Sequence, residues 1–111
     1  MGCIFCDITA GRVGSDILYR DDQVVAFRDI NPQAPVHILV IPVVHYDNLE
    51  AVSSNEKLIT ALLDRCARLG QEHCGAAGYR VVVNTGSDGG QTVDHLHFHV
   101  LGGRPMQWPP G

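Results

Sequence analysis

Three histidines alternate with apolar residues near the end of the chain, in the segment His95-Leu96-His97-Phe98-His99-Val100. A β-strand places residues i, i+2 and i+4 on one face, so this spacing predicts that the three imidazoles share a face. Their apolar neighbours would then pack into the core. A row of imidazoles can bind a metal ion, or it can hold an anion and attack it. The pattern therefore predicts a chemical site on a strand running from Asp94 to Leu101.

A glycine-rich loop leads into this predicted strand. Its sequence is Gly86-Ser87-Asp88-Gly89-Gly90, followed by Gln91 and Thr92. Glycines allow backbone N–H groups to approach a phosphate closely, and both following side chains can donate hydrogen bonds. A plain hairpin turn would have a similar sequence. Directly before three histidines, however, the loop favours a phosphate ligand over a three-histidine metal site.

A Cys-x-x-Cys pair, Cys3 and Cys6, opens the chain. Such a pair is half of a zinc site, and the alternatives are a redox pair or two free buried cysteines. No thioredoxin-like βαβ pattern follows, which argues against the redox role. Cys66 and Cys74 lie in a helical pattern, and we interpret them as small packed side chains.

The remaining pattern predicts an α+β fold with a mostly antiparallel sheet. Ser53-Ser54-Asn55-Glu56 has the form of a capping box, and apolar residues follow it at helical spacing for about five turns. Gly75 and Gly78 are expected to end this helix. The predicted strands before the histidine strand are a short one around Ile17, then Gln23 to Asp29, Val36 to Ile41 and Tyr79 to Asn84.

Length and composition restrict the class of protein. The 111 residues are 45% hydrophobic and carry a net charge of −4. We expect one domain spanning 1–111, with an N-terminal segment at 1–16 and a tail at 102–111. Acidic character and the lack of a long apolar run argue against nucleic acid or a membrane as the main partner. The chain shows no secretory signal, and we expect a cytoplasmic enzyme or small-ligand binder.

The histidine segment also resembles a known family. His95 to Leu101 matches the pattern His-φ-His-φ-His-φ-φ, with φ apolar, of the histidine-triad (HIT) superfamily of nucleotide hydrolases and transferases. The segment Phe27 to His37 and the closing Leu101 to Gly111, with its Gly-Gly-Arg and Trp-Pro-Pro-Gly, resemble the Hint branch in particular. This resemblance implies a HIT-like five-stranded sheet with one long and one short helix, and a homodimer with a continuous sheet. It also implies hydrolysis of purine nucleoside 5′-phosphoramidates to AMP or GMP and an amine.

The resemblance assigns roles to particular residues. His97 would be the nucleophile that forms a nucleotidyl-histidine, and His95, His99 and His37 would complete the catalytic set. Asp29 would bind the ribose hydroxyls. An apolar slot for the base would be formed by Ile8, Phe27, Ile30 and Leu39. Contacts with the phosphate or leaving group would come from Asn84, Gly90, Gln91 and Thr92, and Trp108 of the tail would reach toward the partner subunit's site.

The resemblance also implies a metal site, because some relatives of bacterial type that share the Cys-x-x-Cys start bind zinc. The corresponding ligands here are Cys3, Cys6, His45 and His95, a closed Cys₂His₂ set with a structural role. The chemistry itself would need no metal. Asp94 departs from the family pattern, since the best-studied eukaryotic relatives have an aromatic residue there.

Three other functions are compatible with the histidine segment. A dinucleoside polyphosphate hydrolase belongs to the other large branch, and the Trp-Pro-Pro-Gly tail argues against it. A nucleotide-binding regulator with weak catalysis would not require an intact nucleophile. A three-histidine metalloenzyme predicts that a chelator abolishes activity directly.

Overall fold

The computed structural model describes residues 2–111, so Met1 lies outside the described residues. It has an α+β architecture in which one antiparallel five-stranded sheet has the strand order β1-β2-β3-β5-β4. The strands are β1 (Ile17–Arg20), β2 (Val24–Arg28), β3 (Val36–Pro42), β4 (Tyr79–Val83) and β5 (Phe98–Gly102). The helices are α1 (Ile4–Thr9), α2 (Leu49–Val52) and α3 (Glu56–Cys74), and a 3₁₀ turn follows at Gly75–Ala77. This confirms the predicted fold class.

Strand β3 lies in the middle of the sheet and is buried on both faces. Ile38 and Val40 pack into the larger apolar cluster with α3, whereas Leu39 and Ile41 pack into a second cluster. Alternate residues of a strand point to opposite faces, so the two clusters lie on opposite sides of the sheet. The near-continuous apolar sequence of this strand correctly predicted its burial.

Helix α3 covers one face of the sheet. Its buried residues Leu58, Leu62, Cys66 and Leu69 follow helical spacing. The N-cap is Asn55, whose side chain accepts a hydrogen bond from the Leu58 N–H at 3.2 Å. The sequence had suggested a capping box beginning at Ser53, but that residue ends α2 instead. The chain leaves α3 at Gly75 with φ 60°, a conformation that favours glycine.

Helix α1 lies on the other face of the sheet. Phe5 and Ile8 of this helix are buried in the second cluster together with Val25, Phe27, Leu39 and Ile41. The sequence around the two cysteines carries no pattern that predicts a helix here. In residues 2–111, no helix combines the length and apolar character needed to cross a membrane.

The histidine strand is shorter than predicted. Strand β5 begins at Phe98, so His95 and His97 lie in the loop before it. The neighbouring strand β3 ends at Pro42, which has no N–H to extend the ladder. The Pro42 carbonyl instead accepts a hydrogen bond from the His95 ring at 3.0 Å. Leu96, Phe98 and Val100 nevertheless enter the core as predicted.

Candidate active site and metal cluster

A cavity of about 610 Å³ opens on the sheet face that carries α1. Ile8, Phe27 and Leu39 form part of its apolar wall and are themselves buried. Asp29 and Thr92 also line the cavity, and Ile30 lies on its rim with 95% of its surface exposed. The structure therefore brings together the proposed base slot, the proposed ribose ligand and one proposed phosphate ligand.

His97 lines this cavity with one ring nitrogen engaged and the other free for chemistry. Its Nδ1–H donates to the backbone carbonyl of His95 at 2.8 Å. A carbonyl oxygen only accepts, so Nδ1 carries the proton and Nε2 of the neutral ring keeps its lone pair. The residue is only 6% exposed. His97 is thus held in the tautomer that a nucleophile at Nε2 requires.

His37 and His99 form a second oriented pair. The Gln33 backbone N–H donates to His37 Nδ1 at 3.0 Å, so the proton of the neutral ring lies on Nε2. That Nε2–H donates to His99 Nδ1 at 2.9 Å. His99 Nε2 then carries a proton that can be donated to an oxyanion or a leaving group. Both nitrogens of His37 are engaged by the protein, so this residue orients His99 rather than facing the cavity with a free donor.

Burial keeps this pair neutral. It lowers the pKa of His99 to about 4, with the neighbouring His97 and His37 acting in the same direction. Burial also lowers the pKa of His37, although the Asp29 carboxylate 3.5 Å away opposes the shift. At neutral pH the two rings therefore act as hydrogen-bonding groups rather than as cations.

Asp29 is placed to accept hydrogen bonds from a ligand. Its Oδ1 accepts from the Asn31 backbone N–H at 2.8 Å, which fixes the orientation of the carboxylate. Its Oδ2 lies beside His37 at the wall of the cavity. A carboxylate in this position can accept from two neighbouring hydroxyl groups.

A separate cluster gathers two cysteines and two histidines. Ligand atoms of Cys3, Cys6, His45 and His95 all lie within 4.8 Å of one another. His95 Nδ1 lies 3.3 Å from Cys3 Sγ and 3.5 Å from Cys6 Sγ, and His45 Nδ1 lies 3.3 Å from Cys6 Sγ. Zinc bond lengths in a tetrahedron imply nitrogen–sulfur separations of about 3.6 Å. The distances between these donor atoms fit a zinc ion.

The far nitrogens of the two histidines support the same conclusion. His95 Nε2–H donates to the Pro42 carbonyl, and His45 Nε2–H donates to Asp47 Oδ1 at 2.7 Å. Each Nδ1 is therefore left with a lone pair that faces the sulfurs. Ligating histidines in metal sites have this second hydrogen bond, because it fixes the tautomer and ring orientation.

Four predicted nucleotide contacts do not line the cavity. Asn84 follows Val83, the β4 residue that pairs with Phe98, so it lies near the start of β5. Gly90 is exposed in the preceding loop. The Gln91 amide is used within the protein, donating to the Asp47 and Val93 carbonyls at 2.6 and 3.0 Å. Trp108 is 83% exposed on the tail.

Sequence reasoning missed two residues of the site. Phe5 lines the cavity and packs edge-on against His97, with ring centroids 5.1 Å apart. Gln33 lines the cavity and supplies the backbone N–H that sets the His37 tautomer. The sequence signal at Phe5 is its place between the two cysteines of the Cys-x-x-Cys pair, a motif that points to metal or redox chemistry rather than to a cavity wall.

Comparison with known proteins assigns this arrangement to a family. The chain matches the HIT domain over residues 10–106. It is 46% identical over 112 residues to adenylylsulfatase HINT1 of Arabidopsis thaliana, covering 97% of this chain and 76% of that protein. A 14 kDa zinc-binding protein of Zea mays is 45% identical over 112 residues, covering 97% and 87%.

A solved structure agrees with these sequence matches. The crystal structure of a HIT family hydrolase from Legionella pneumophila superposes with a TM-score of 0.94 at 44% identity, covering 99% of this chain and 100% of that one. The chain therefore belongs to the HIT domain family. This confirms the resemblance drawn from the histidine segment.

Proposed function

We propose that this nucleotide hydrolase of the histidine-triad superfamily acts on purine nucleoside 5′-phosphoramidates. It would release a nucleoside monophosphate and an amine. The observation that carries the proposal is the hydrogen bond from His97 Nδ1–H to the His95 carbonyl. This bond leaves Nε2 of His97, a residue that lines the cavity, unprotonated and with its lone pair free to attack.

The reaction would proceed by covalent catalysis at His97. Nε2 forms a bond to the α-phosphorus while the phosphorus–nitrogen bond to the amine breaks. The electron pair of that bond goes to the amine nitrogen, which takes up a proton from water. A water molecule then attacks the phosphorus, breaks its bond to Nε2 and releases a proton as the monophosphate leaves. Splitting one displacement into two lowers the barrier of each.

The other residues would bind and orient the substrate. His99 Nε2–H would donate to a phosphate oxygen or to the leaving group, stabilising charge as it develops. Asp29 would accept from the ribose hydroxyls. Purine rings are flat and largely apolar on their faces, and the cavity wall of Phe27, Ile8 and Leu39 suits such a ring.

Adenylyl sulfate is a second candidate substrate. The Arabidopsis relative is an adenylylsulfatase. The same attack by His97 Nε2 would then displace sulfate, which needs no proton to leave. The nucleoside part would occupy the same cavity, so only the leaving group distinguishes this candidate from the phosphoramidate.

Cys3, Cys6, His45 and His95 would hold a zinc ion in a structural role. Support comes from the distances between their donor atoms and from the name of the Zea mays relative. Four protein ligands fill a tetrahedral site and leave no position for substrate. When bound, zinc would join the N-terminal segment to the loops before α2 and before β5.

The protein would act as a homodimer that pairs through β4. This strand lies at one end of the sheet, and the exposed apolar side chains of Tyr79 and Val81 lie on it. Leu63 of α3 adds a third exposed apolar side chain. Arg80 donates to the Gln107 carbonyl at 2.8 Å, which holds the tail beside this edge, so Trp108 would lie near the partner in such a dimer. A monomer in sedimentation equilibrium would contradict this assembly.

Release of AMP from adenosine 5′-phosphoramidate tests the proposed function. The wild type should release AMP without added metal, and His97→Ala should be slower by about a thousandfold or more because the nucleophile is lost. His73→Ala, a histidine of α3 outside the site, is the matched control and should retain wild-type activity. Adenylyl sulfate is assayed in parallel. No release from either substrate by a folded wild type would refute the proposal.

A further inference from the structure

Helix α1 belongs to both the metal cluster and the nucleotide cavity. Cys3 caps this helix and Cys6 lies in its first turn. Between and after the two cysteines, Ile4, Phe5 and Ile8 line the cavity. The same short helix therefore carries two candidate metal ligands and part of the wall of the substrate site.

Phe5 makes the closest connection between the two sites. Its ring packs edge-on against His97 at 5.1 Å, against His95 at 5.8 Å and against Phe27 at 5.6 Å between centroids. These partners are the nucleophile, a metal-cluster histidine and a wall residue of the cavity. The position of Phe5 thus affects the shape of the cavity and the space around His97.

This helix depends on other parts of the molecule for its position. It has six residues, and isolated helices of that length are unstable in water. Phe5 and Ile8 are buried against the sheet, and Arg20 donates to the Thr9 carbonyl at its end. At its beginning, Cys3 and Cys6 contact His45 and His95, and Cys3 also packs against the second apolar cluster.

A second connection runs through the backbone of His95. The His95 ring faces the cysteines, and its carbonyl accepts the hydrogen bond that fixes the His97 tautomer. The adjoining Leu96 N–H donates to the Tyr46 carbonyl at 2.6 Å, which ties this loop to the segment carrying His45. The cysteine cluster therefore includes residues of α1, which forms a wall of the cavity, and His95, whose carbonyl orients His97.

We propose that metal binding at Cys3, Cys6, His45 and His95 sets the affinity and alignment of the nucleotide site, with Phe5 as the positioning residue. Without metal, α1 is released at its N-terminal end and the cavity loses one wall. The larger apolar cluster around α3 contains no residue of α1, so the sheet and α3 remain folded. The part of the inference that concerns nucleotides rests on the proposed function.

Calorimetric titration with AMP tests this coupling. The probe is added to zinc-loaded wild type, to chelator-treated wild type and to treated wild type refilled with zinc. Metal depletion should weaken AMP binding about tenfold, as when only a tenth of the molecules are competent to bind, and refilling should restore it. Equal affinity in the loaded and depleted states, with AMP bound in both, would overturn the proposal.

Two variants separate the cluster from general effects of cysteine loss. Cys3→Ser/Cys6→Ser should bind AMP as weakly as depleted wild type and should not respond to zinc. Cys74→Ser is the matched control, because this half-buried cysteine lies at the end of α3, and it should behave as wild type. A double variant that binds AMP as well as loaded wild type would contradict the proposal.

Phe5→Leu tests the positioning residue without removing a metal ligand. It should bind zinc at wild-type stoichiometry by metal analysis and yet bind AMP several-fold more weakly when loaded. It should also show a smaller difference between loaded and depleted forms. Wild-type coupling in this variant would refute the role of Phe5.

A readout without nucleotide distinguishes failure of this inference from failure of the proposed function. Histidine ring nitrogens are recorded by ¹H–¹⁵N NMR with and without zinc. Loaded protein should show the Nδ1–H tautomer at His97, and depletion should mix the two tautomers. If AMP binds in neither state, the proposed function fails and these spectra decide the coupling. If the His97 signals are the same with and without zinc, the proposed coupling is overturned as well.

Discussion

The two groups of histidines in this protein differ in where their protons lie. In the cysteine cluster, His45 and His95 donate through Nε2–H to oxygen atoms, so Nδ1 is unprotonated and faces the sulfurs. In the cavity the arrangement is reversed, because His97 donates through Nδ1–H and its Nε2 is unprotonated. The same side chain would therefore serve as a metal ligand in one place and as a nucleophile in the other. The partner of the far nitrogen determines which.

A third set of residues has ligand atoms that are equally close but hydrogen bonds of a different kind. Ligand atoms of Asp29, His37 and His99 also lie within 4.8 Å of one another, as close as those of the cysteine cluster. However, the Gln33 N–H donates to His37 Nδ1, so Nε2 carries the proton and has no lone pair for a metal. The ligand atoms are equally close in both sets, and the hydrogen bonds distinguish a candidate metal site from a hydrogen-bonded pair.

Acid should destabilise the folded protein, because His99 and His37 at the cavity are buried in their neutral form. Since burial lowers the folded-state pKa of His99 to about 4, only the unfolded chain binds this proton between pH 6.5 and that value. Above this window His99 contributes no pH dependence. As pH falls through it, the free energy of unfolding should drop by at most about 3 kcal/mol, reduced by solvent screening of the partly exposed ring. The lowered pKa of His37 acts in the same direction.

Urea unfolding of zinc-loaded wild type and His99→Gln at neutral pH and at about pH 4.5 measures this loss. The acid sensitivity of zinc ligation is common to both proteins and cancels in their difference. His99→Gln is the control, and its loss should be smaller than that of the wild type. An equal loss in the variant would show that His99 does not carry the effect.

Substituting the residue that hydrogen-bonds to a histidine should impair a different property in each of the two groups. His37→Leu removes the donor to His99 and should slow AMP release about tenfold, with His37→Gln recovering part of the rate through its amide N–H. Asp47→Asn weakens the acceptor of His45 and should lower zinc affinity about tenfold. Competition with a colorimetric chelator measures that affinity.

Each substitution serves as the control for the other. His37→Leu should bind zinc as wild type, and Asp47→Asn saturated with zinc should release AMP at the wild-type rate. A variant that impaired both properties equally would show that the two groups are not separable in this way.

The parts of the molecule predicted from sequence are those with strong periodic signals. The central apolar strand, the long helix and the inward-facing Leu96, Phe98 and Val100 were all evident from spacing. Two short helices were not. At six and four residues, α1 and α2 are too short for a helical period to be recognised, and tertiary contacts hold them.

In the candidate site, too, the residues with regular spacing were predicted and their hydrogen bonds were not. The triad and the cysteine pair carry distinctive spacing, whereas the tautomers depend on backbone groups that side-chain patterns do not reveal. Alternation also overstated the strand, because His95 and His97 keep the period of two in a loop where Pro42 has ended the ladder. Gln91 suggested a phosphate donor by its type, and its folded environment uses the amide within the protein.

The central claim is that His97 Nε2 is the nucleophile while His95 serves the cysteine cluster. Rapid quenching at alkaline pH during turnover of adenosine 5′-phosphoramidate, followed by peptide mapping by mass spectrometry, tests it most directly. The account predicts an adenylyl group on His97, labile to acid and absent from the His97→Ala protein. An adenylyl group on His95 or His99, or turnover of unmodified enzyme under conditions that trap such adducts, would contradict it.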